Sequence, residues 1–374
     1  MIPTPVDGDG VRLRAFRPDD VEDLMAGCDD PVTQEFLPGL PSPYTRSAAE
    51  WWIHEGSPAA FAAGGAAYAV VDPATDRLLG GVGLDRLVPI RRQAEVGYWV
   101  APWARRRGVA TAAVRAMSGR AFAEGMARLE LMTEWTNVAS QRVALAAGFQ
   151  REGVRRSAHV TRDGERDDLV AFSRLLDDPT GPAPRLLPDL PGGDLTDGVV
   201  SLRPLSAHDV EFHTTLAWLP DVVATSVPPV RRDAADLARR CRRSAARWLA
   251  GEQADLVIVD VASGEPAGEI GLYYQEPASG QAMIGYSMLP AWRRRGYTTR
   301  AVELLALWVF AETGIGRLIA GTLPHNVGSQ RVLENAGFQR EGYLRSRLPG
   351  LDGQRVDDVL YGLVAEDVLR HGAG

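Results

Sequence analysis

Two six-residue stretches of this chain invite a chemical reading before anything else does: Arg105-Arg106-Arg107-Gly108-Val109-Ala110 and Arg293-Arg294-Arg295-Gly296-Tyr297-Thr298. Each follows a short apolar run of strand character and precedes a segment with helical periodicity. A turn that feeds a helix in this way lines up successive backbone N–H groups, and together with the helix dipole they form a concave site for an anion. Gly108 and Gly296 permit the turn and let a phosphate come close to the backbone. A plain tight turn would use the same residues, but finding the stretch twice in the same context favours the anion site. A second pair of signals is Asn137-x-x-Ser140 and Asn326-x-x-Ser329. Asn and Ser both favour helix starts, so these residues read as caps that can also touch a ligand. A third is a run of arginines over 231–247, with Arg239, Arg243 and Arg247 spaced i, i+4, i+8 on one helical face. Such a face is usually solvated and paired with acids, here Asp233, Asp236 and Glu252. Its sharper reading is a patch for an acidic acceptor, a phosphate or tRNA.

The elements that must hold these groups occur twice. GFQREG stands at Gly148–Gly153 and again at Gly337–Gly342, an offset of 189, and the same offset aligns the two Asn-x-x-Ser segments. Gly97-Tyr98 aligns with Gly285-Tyr286, and the two RRRG elements with each other, at an offset of 188, so the second copy carries one extra residue between those anchors. Matches this dense mean duplication. Between the copies lies DPTGPAPRLLPDLPGGDLTDG, whose five prolines and four glycines oppose helix and sheet. We therefore expect one domain over 1–178, a linker over 179–197 and a second domain over 198–374.

Within the first copy the patterns predict a strand near Arg12–Phe16 and a helix with Val21, Leu24, Met25 and Cys28 on one face. Three short strands follow at 67–72, 78–84 and 94–100, then a helix after RRRG, a strand over 129–133, a helix over 140–147 and a closing strand near 168–176. The second copy repeats this order and opens its first helix on a capping-box-like Ser206–Asp209. The fold class is α+β with a mixed sheet in each half.

At 374 residues the chain exceeds what one hydrophobic core usually serves. Its 45% hydrophobic and 24% charged content is that of an ordinary globular enzyme. No apolar run is long enough for a membrane span, and the N-terminal MIPTPVDGDG lacks the basic and apolar regions of a signal peptide. Cys28 and Cys241 stand far apart, which argues against a disulfide framework or a Cys-rich metal site and suits a reducing cytoplasm. All 41 basic residues are arginine, and with the abundant Ala, Gly and Pro this points to a GC-rich genome of actinobacterial type. The net charge of −7 disfavours bulk nucleic-acid binding.

The repeated elements resemble the GNAT superfamily of N-acetyltransferases, whose acyl-CoA pyrophosphate motif reads Gln/Arg-x-x-Gly-x-Gly/Ala. Arg105–Ala110 matches it fully; Arg293–Thr298 departs only at Thr298. The Gly-Tyr pair, the Asn-x-x-Ser segment and the Gly-Phe-x-x-Glu-Gly segment are similar to the branch of ribosomal-protein N-terminal acetyltransferases (RimJ/RimL type). The resemblance implies two tandem GNAT folds, each a mostly antiparallel sheet flanked by helices. It implies acetyl-CoA as cofactor, held at the pyrophosphate by backbone amides of Arg105, Arg106, Arg107, Gly108, Val109 and Ala110 and of Arg293, Arg294, Arg295, Gly296, Tyr297 and Thr298. The strand ends Trp99-Val100 and Met288-Leu289 would pair with the pantetheine arm, and Asn137 and Asn326 would bond the cofactor. Direct attack of an amine on the thioester needs a proton acceptor and a group that protonates the leaving thiolate. Glu95 stands where the family keeps a carboxylate base; its counterpart is Met283, for which Glu269 is the substitute. Ser140 and Ser329 are the leaving-group acids, no tyrosine being near in the linear motif. Trp51-Trp52 lines the acceptor groove or caps the core, His325 sits in a surface loop or touches the acceptor, and Asp168 and Asp357 recognise an amine or make a turn contact. The partners implied are an acyl-CoA and an amine-bearing small molecule or protein N-terminus, with no metal and no membrane, in a pseudo-dimeric monomer or a homodimer. The rival readings are an aminoacyl-tRNA-dependent acyltransferase, for which the 231–247 arginines would serve, and a non-catalytic acyl-CoA-binding protein.

Overall fold

The computed structural model describes residues 3–371, and the chain divides into two compact units, 1–184 and 185–374. The first unit runs β1 (Val6–Gly8), β2 (Val11–Arg14), α1 (Val21–Cys28), α2 (Pro31–Phe36), α3 (Arg46–Trp51), α4 (Ser57–Ala62), β3 (Ala66–Val71), β4 (Leu78–Val88), β5 (Gln93–Val100), α5 (Val109–Ala123), β6 (Arg128–Glu134), α6 (Val138–Ala146), β7 (Gln150–Val160) and β8 (Arg166–Leu175). The second repeats it: β9 (Leu195–Thr196), β10 (Val200–Pro204), α7 (Val210–Ala217), α8 (Pro220–Thr225), α9 (Ala234–Leu249), β11 (Gln253–Asp260), β12 (Pro266–Glu276), β13 (Gln281–Met288), α10 (Tyr297–Glu312), β14 (Arg317–Thr322), α11 (Val327–Asn335), β15 (Gln339–Pro349), β16 (Arg355–Val364) and α12 (Ala365–His371).

Each unit is built on one eight-stranded sheet, ordered β1-β2-β3-β4-β5-β6-β8-β7 and β9-β10-β11-β12-β13-β14-β16-β15. Neighbours are antiparallel except for one parallel pair per sheet, β5–β6 and β13–β14. The fold class is therefore the expected one: two GNAT-type mixed sheets with flanking helices. The strands read from alternation are present; β4, β5 and β6 run slightly longer than their patterns, whereas β2 stops at Arg14, short of the expected Phe16. The short edge strands β1 and β9 and the long β7 and β15 are additional; eight of the eleven residues of β7 are exposed, so that strand carries no apolar alternation to read. In the segment between α1 and β3, Pro31 opens α2 and a π-helical turn over 52–56 separates α3 from α4.

Strand alternation gives each sheet two apolar faces. In the second unit Leu256 and Ile258 pack with Ala301, Val302 and Leu305 of α10, whereas Val257 between them packs with Leu205 and Cys241 under α7 and α9. In the first unit Ala69, Val71 and Leu78 pack with Leu24, Cys28, Ala49 and Ile53 of the α1–α4 side, where Trp99 and Trp52 also lie. The segment 185–197 belongs to the second unit: Leu187 and Leu190 are buried in its core, and Trp248 Nε1 donates to the Pro188 carbonyl at 2.9 Å.

The turn entering the first helix is fixed in both units by an Arg–Asp pair. Arg14 donates two 2.8 Å bonds to Asp20, whose Oδ2 also accepts from the Arg17 amide, and both side chains are nearly sealed from water. Arg203 and Asp209 repeat the arrangement and Asp209 closes a capping box with Ser206, but Arg203 is 39% exposed. Removing one partner of a buried pair strands the other charge, while hydration relieves an exposed one. We expect Asp20→Ala to cost about 3 kcal/mol in urea unfolding, at the lower end for a broken buried pair, and Asp209→Ala to cost less.

Candidate functional site

The parallel pair at the centre of each sheet stays joined for only three residues. In the first unit the register runs Gln93↔Arg128, Ala94↔Leu129, Glu95↔Glu130 and then stops. Beyond it β5 continues to Val100 on β4, and β6 continues to Glu134 on β8. The second unit does the same after Met283↔Ile319, with β13 continuing on β12 and β14 on β16. Two strands that share a sheet but no longer pair must diverge, and the β5 edge over 96–100 and the β13 edge over 284–288 are left without a strand on that side. An extended chain with amide groups can add to such an edge.

The RRRG stretches sit at the end of these edges. Arg105 and Arg293 have extended backbone, Arg106 and Arg294 take φ of 60° and 61°, and Gly108 and Gly296 take 77° and 78° before α5 and α10 begin. Neither helix has a side-chain cap, so the amides of its first turn have no side-chain acceptor. A Cβ built on either glycine would meet nothing within 4 Å. Uncapped amides at a helix start, reached over an open glycine, fit a pyrophosphate. The first arginine side chain of each loop is structural. Arg105 donates to the Val100 carbonyl at 3.2 Å and pairs with Asp30, the N-cap of α2. Arg293 donates to the Met288 carbonyl at 3.0 Å and pairs with Asp221 of α8 at 2.7 Å. Arg295 lies 4.9 Å from the Trp292 ring centroid, and Tyr297 stacks on that ring at 5.6 Å while its hydroxyl bonds Asp260.

On the far side of the parting, Asn137 Oδ1 accepts from the Ser140 amide at 3.0 Å and Asn326 Oδ1 from the Ser329 amide at 3.2 Å. Both asparagines are helix caps, and capping leaves their NH2 groups for another acceptor. The serines have a partner that the linear motif hides. Tyr98 Oη lies 2.9 Å from Ser140 Oγ, and Tyr286 Oη 2.8 Å from Ser329 Oγ. The linear motif holds no tyrosine; the Gly-Tyr pair on the central strand brings one across the parting. Burial pushes the phenol of Tyr98 well above its usual range and that of Tyr286 up to about 12, so both remain protonated donors.

Glu95 points to the opposite face. Ala94 and Val96 are buried on one side of β5, and Glu95 shares the other with Trp99. Its side chain is 16% exposed and accepts from Arg86 at 3.2 Å. Burial raises its pKa, Arg86 opposes the shift, and the neighbouring carboxylates of Asp85 and Glu130 add to it. In the second unit the same register position holds Met283. Glu269 lies on the same face of β12, and among the described residues no arginine bonds it; its Oε1 is 2.5 Å from Nδ1 of the buried His213 on α7. Both line a cavity of about 550 Å³ that also reaches Met283, Tyr286, Asn326 and Ser329. Sequence reasoning did not find His213, whose counterpart in the first copy is the core residue Leu24 and whose partner is 56 residues away.

The remaining candidates fall outside this centre. Trp52 packs edge-on to Phe16 in the core, and Trp51 is exposed. Asp168 and Asp357 accept from the Ser157 and Ser346 amides, both at positive φ, which is a turn contact. His325 is exposed. Arg239 pairs with Asp236 and Arg247 bonds Gln253, while the inward member of that helix is Arg240, bound to Asp255 at 2.6 Å. Cys28 and Cys241 are buried free thiols that burial raises to about 12, so neither is a nucleophile. Among the described residues no group of three or more His, Cys, Asp or Glu is placed to hold a metal, and no helix is long and apolar enough to cross a membrane.

The family model for the acetyltransferase (GNAT) domain matches this chain twice, over residues 11–150 and 200–339. A probable N-acetyltransferase of Bacillus subtilis is 43% identical over 67 residues, 18% of this chain and 37% of that protein. The ribosomal protein uS5-alanine N-acetyltransferase of Escherichia coli is 33% identical over 84 residues, 22% of this chain and 43% of that protein. The matches thus span less than half the length of these curated relatives. Among solved structures, RimJ of Mycobacterium smegmatis in complex with CoA-disulfide is 25% identical with a TM-score of 0.42, over 48% of this chain and 92% of that one.

The electrostatics of the first unit can be checked directly. Carbon-13 NMR of the Glu95 carboxyl should show it titrating above the ordinary glutamate range, and Arg86→Ala should raise it further, because the cation that favours the charged form is gone.

Proposed function

The chain belongs to the GNAT acetyltransferase family, and from that premise we propose that it is an acyl-CoA-dependent N-acyltransferase that moves acetyl from acetyl-CoA to a primary amine by direct attack. The observation that carries the reading is the parting of the central strands beside an uncapped helix start, made twice from the same residues. Acetyl-CoA, when bound, supplies the acyl carbon that exchanges its C–S bond for a C–N bond. The chain's own groups do the rest. Backbone amides of 105–110 and of 293–298 hold the pyrophosphate, and the free edges ending at Trp99-Val100 and Met288-Leu289 align the pantetheine amides. Asn137 and Asn326 offer their NH2 groups to the same arm. Tyr98–Ser140 and Tyr286–Ser329 are hydroxyl pairs that protonate the leaving thiolate, with the tyrosine replenishing the serine. In the first unit Glu95 takes the proton that the amine loses; a carboxylate raised by burial is a better base than an ordinary one. The acceptor is the amine of a small molecule or of a protein N-terminus, the second supported by the ribosomal-protein substrate in the name of the Escherichia coli relative. Buried free thiols suit a cytoplasmic setting.

The test uses the full chain with its second site blocked by Gly296→Glu. Thiol release from acetyl-CoA is followed with spermidine, tyramine and a tetrapeptide bearing N-terminal alanine. Adding Glu95→Gln should lower kcat by roughly 10²-fold while leaving the KM for acetyl-CoA unchanged, the size expected for a lost general base. Because the wild-type base must be ionised, its rate should climb with pH through the raised Glu95 pKa, and the variant should lose that limb and recover only as the amine itself deprotonates. An unaltered kcat would remove Glu95 from the chemistry.

A further inference from the structure

The second unit has exchanged its base for a different one. Matching the two sheets by register places Met283 where the first unit has Glu95, Glu269 where it has Gly81, and, one helix away, His213 where it has Leu24. The three changes are complementary. The strand carboxylate is lost, a carboxylate appears on the adjacent strand, and an imidazole appears on the helix facing it, 2.5 Å from Nδ1 to Glu269 Oε1. His213 is 4% exposed, and its other nitrogen, Nε2, is buried with no protein partner although the residue lines the cavity. A carboxylate on Nδ1 fixes that nitrogen as the N–H donor and leaves the lone pair on Nε2.

The cavity also contains two buried carboxylates at positions where the first unit has apolar residues. Asp255 stands where the first unit has Ala67, and Asp358 where it has Leu169. They are 4% and 0% exposed. Asp255 Oδ1 is taken by Arg240 and Gln253 and Asp358 Oδ2 by Arg347, but Asp255 Oδ2 and Asp358 Oδ1 are buried without a protein partner. Buried polar atoms are normally satisfied, so oxygens left over on a cavity wall mark where a donor-bearing ligand sits. Alternation puts Glu269, Met283, Asp255 and Asp358 on the α7–α9 face of the sheet, across the strand parting from Tyr286 and Ser329. That is where an amine must lie to reach a thioester held in the parting.

We propose that His213 is the general base of the second unit, oriented by Glu269, and that the cavity beside it takes a cationic primary amine different from the acceptor of the first unit. The inference rests on the reading of this unit as an N-acyltransferase. As the amine nitrogen forms its C–N bond and the C–S bond breaks, Nε2 of His213 accepts the proton that the nitrogen loses. The imidazolium charge is balanced by Glu269, and the thiolate is protonated from Ser329. Glu269 acts through His213 and is a positioning residue.

Nitrogen-15 NMR of the full chain decides the geometry without knowledge of the acceptor. The His213 signals are assigned among the six histidines by their loss in His213→Gln. Neutral His213 should carry its proton on Nδ1; Glu269→Ala should move population to the Nε2–H form, and Glu269→Gln, which keeps an acceptor oxygen, should not. A wild-type His213 protonated on Nε2 overturns the proposal. Activity is then measured in a chain whose first site is blocked by Gly108→Glu, with spermidine, tyramine and the alanine tetrapeptide as probes. His213→Gln should lower kcat at least 100-fold with the KM for acetyl-CoA unchanged, and Glu269→Ala about 10-fold. An undiminished kcat in His213→Gln overturns the proposal and leaves the acyltransferase reading intact. If Gly108→Glu abolishes all turnover of an active wild type and Gly296→Glu changes nothing, the reading of this unit fails and the proposal with it. Where none of the probes is acetylated, the tautomer of His213 alone decides: Nδ1–H upholds the proposal and Nε2–H overturns it.

Discussion

A parallel pair of strands that holds for three residues and then separates sets the terms for everything else in each unit. Parallel strands normally pair along their length because every buried amide needs a partner. Here β5 and β13, beyond the third paired residue, keep a partner on one side only, and such a bare edge is one to which a chain with its own amides can add. The separation also brings both faces of the sheet to one place. Side chains that alternate on the central strand emerge on opposite sides, so Glu95 and Tyr98, three positions apart, stand on opposite faces beside one gap. The helix that starts at the end of the same strand brings its first-turn amides to the mouth of the gap.

Duplication let the two units diverge without disturbing this frame. The loop dihedrals at Arg106 and Arg294 and at Gly108 and Gly296 agree within a degree, and the tyrosine–serine pairs agree within about 0.1 Å. What differs is the α1–α4 face of the first sheet and the α7–α9 face of the second. The first unit has small and apolar residues at four positions there, Leu24, Ala67, Gly81 and Leu169, beside the carboxylates of Glu95, Glu130 and Glu134. The second has His213, Asp255, Glu269 and Asp358 at those four positions and Met283 at that of Glu95. Burying four polar side chains is expensive unless each is bonded. The ion pairs to Arg240 and Arg347 and the His213–Glu269 contact meet most of that cost.

How much of this the sequence disclosed follows from the range of each interaction. The repeat, the RRRG turns and the strands with alternating burial are local patterns, and they lie where the spacing put them. Asn137 and Asn326 could be read as caps because a cap is made three residues away. The Tyr98–Ser140 and His213–Glu269 contacts span 42 and 56 residues, and only the sheet register brings them together. The Gly-Tyr dipeptide was visible, but nothing in its neighbourhood shows which way the phenol turns. His213 was the least legible of all, since it takes a buried position on α7 where the first unit has the core residue Leu24. β7 escaped for the opposite reason: an exposed edge strand has no burial pattern to betray it. Leu187 and Leu190, set among prolines, looked like linker and proved to be core.

The central claim is that each parting of strands, with its uncapped helix start, is an acyl-CoA site. Titration calorimetry of the full chain with desulfo-CoA tests it most directly. The account predicts a stoichiometry near two, falling to one in Gly108→Glu and to one in Gly296→Glu, with no binding in the double variant. A stoichiometry of one that Gly108→Glu abolishes and Gly296→Glu leaves unchanged would contradict it.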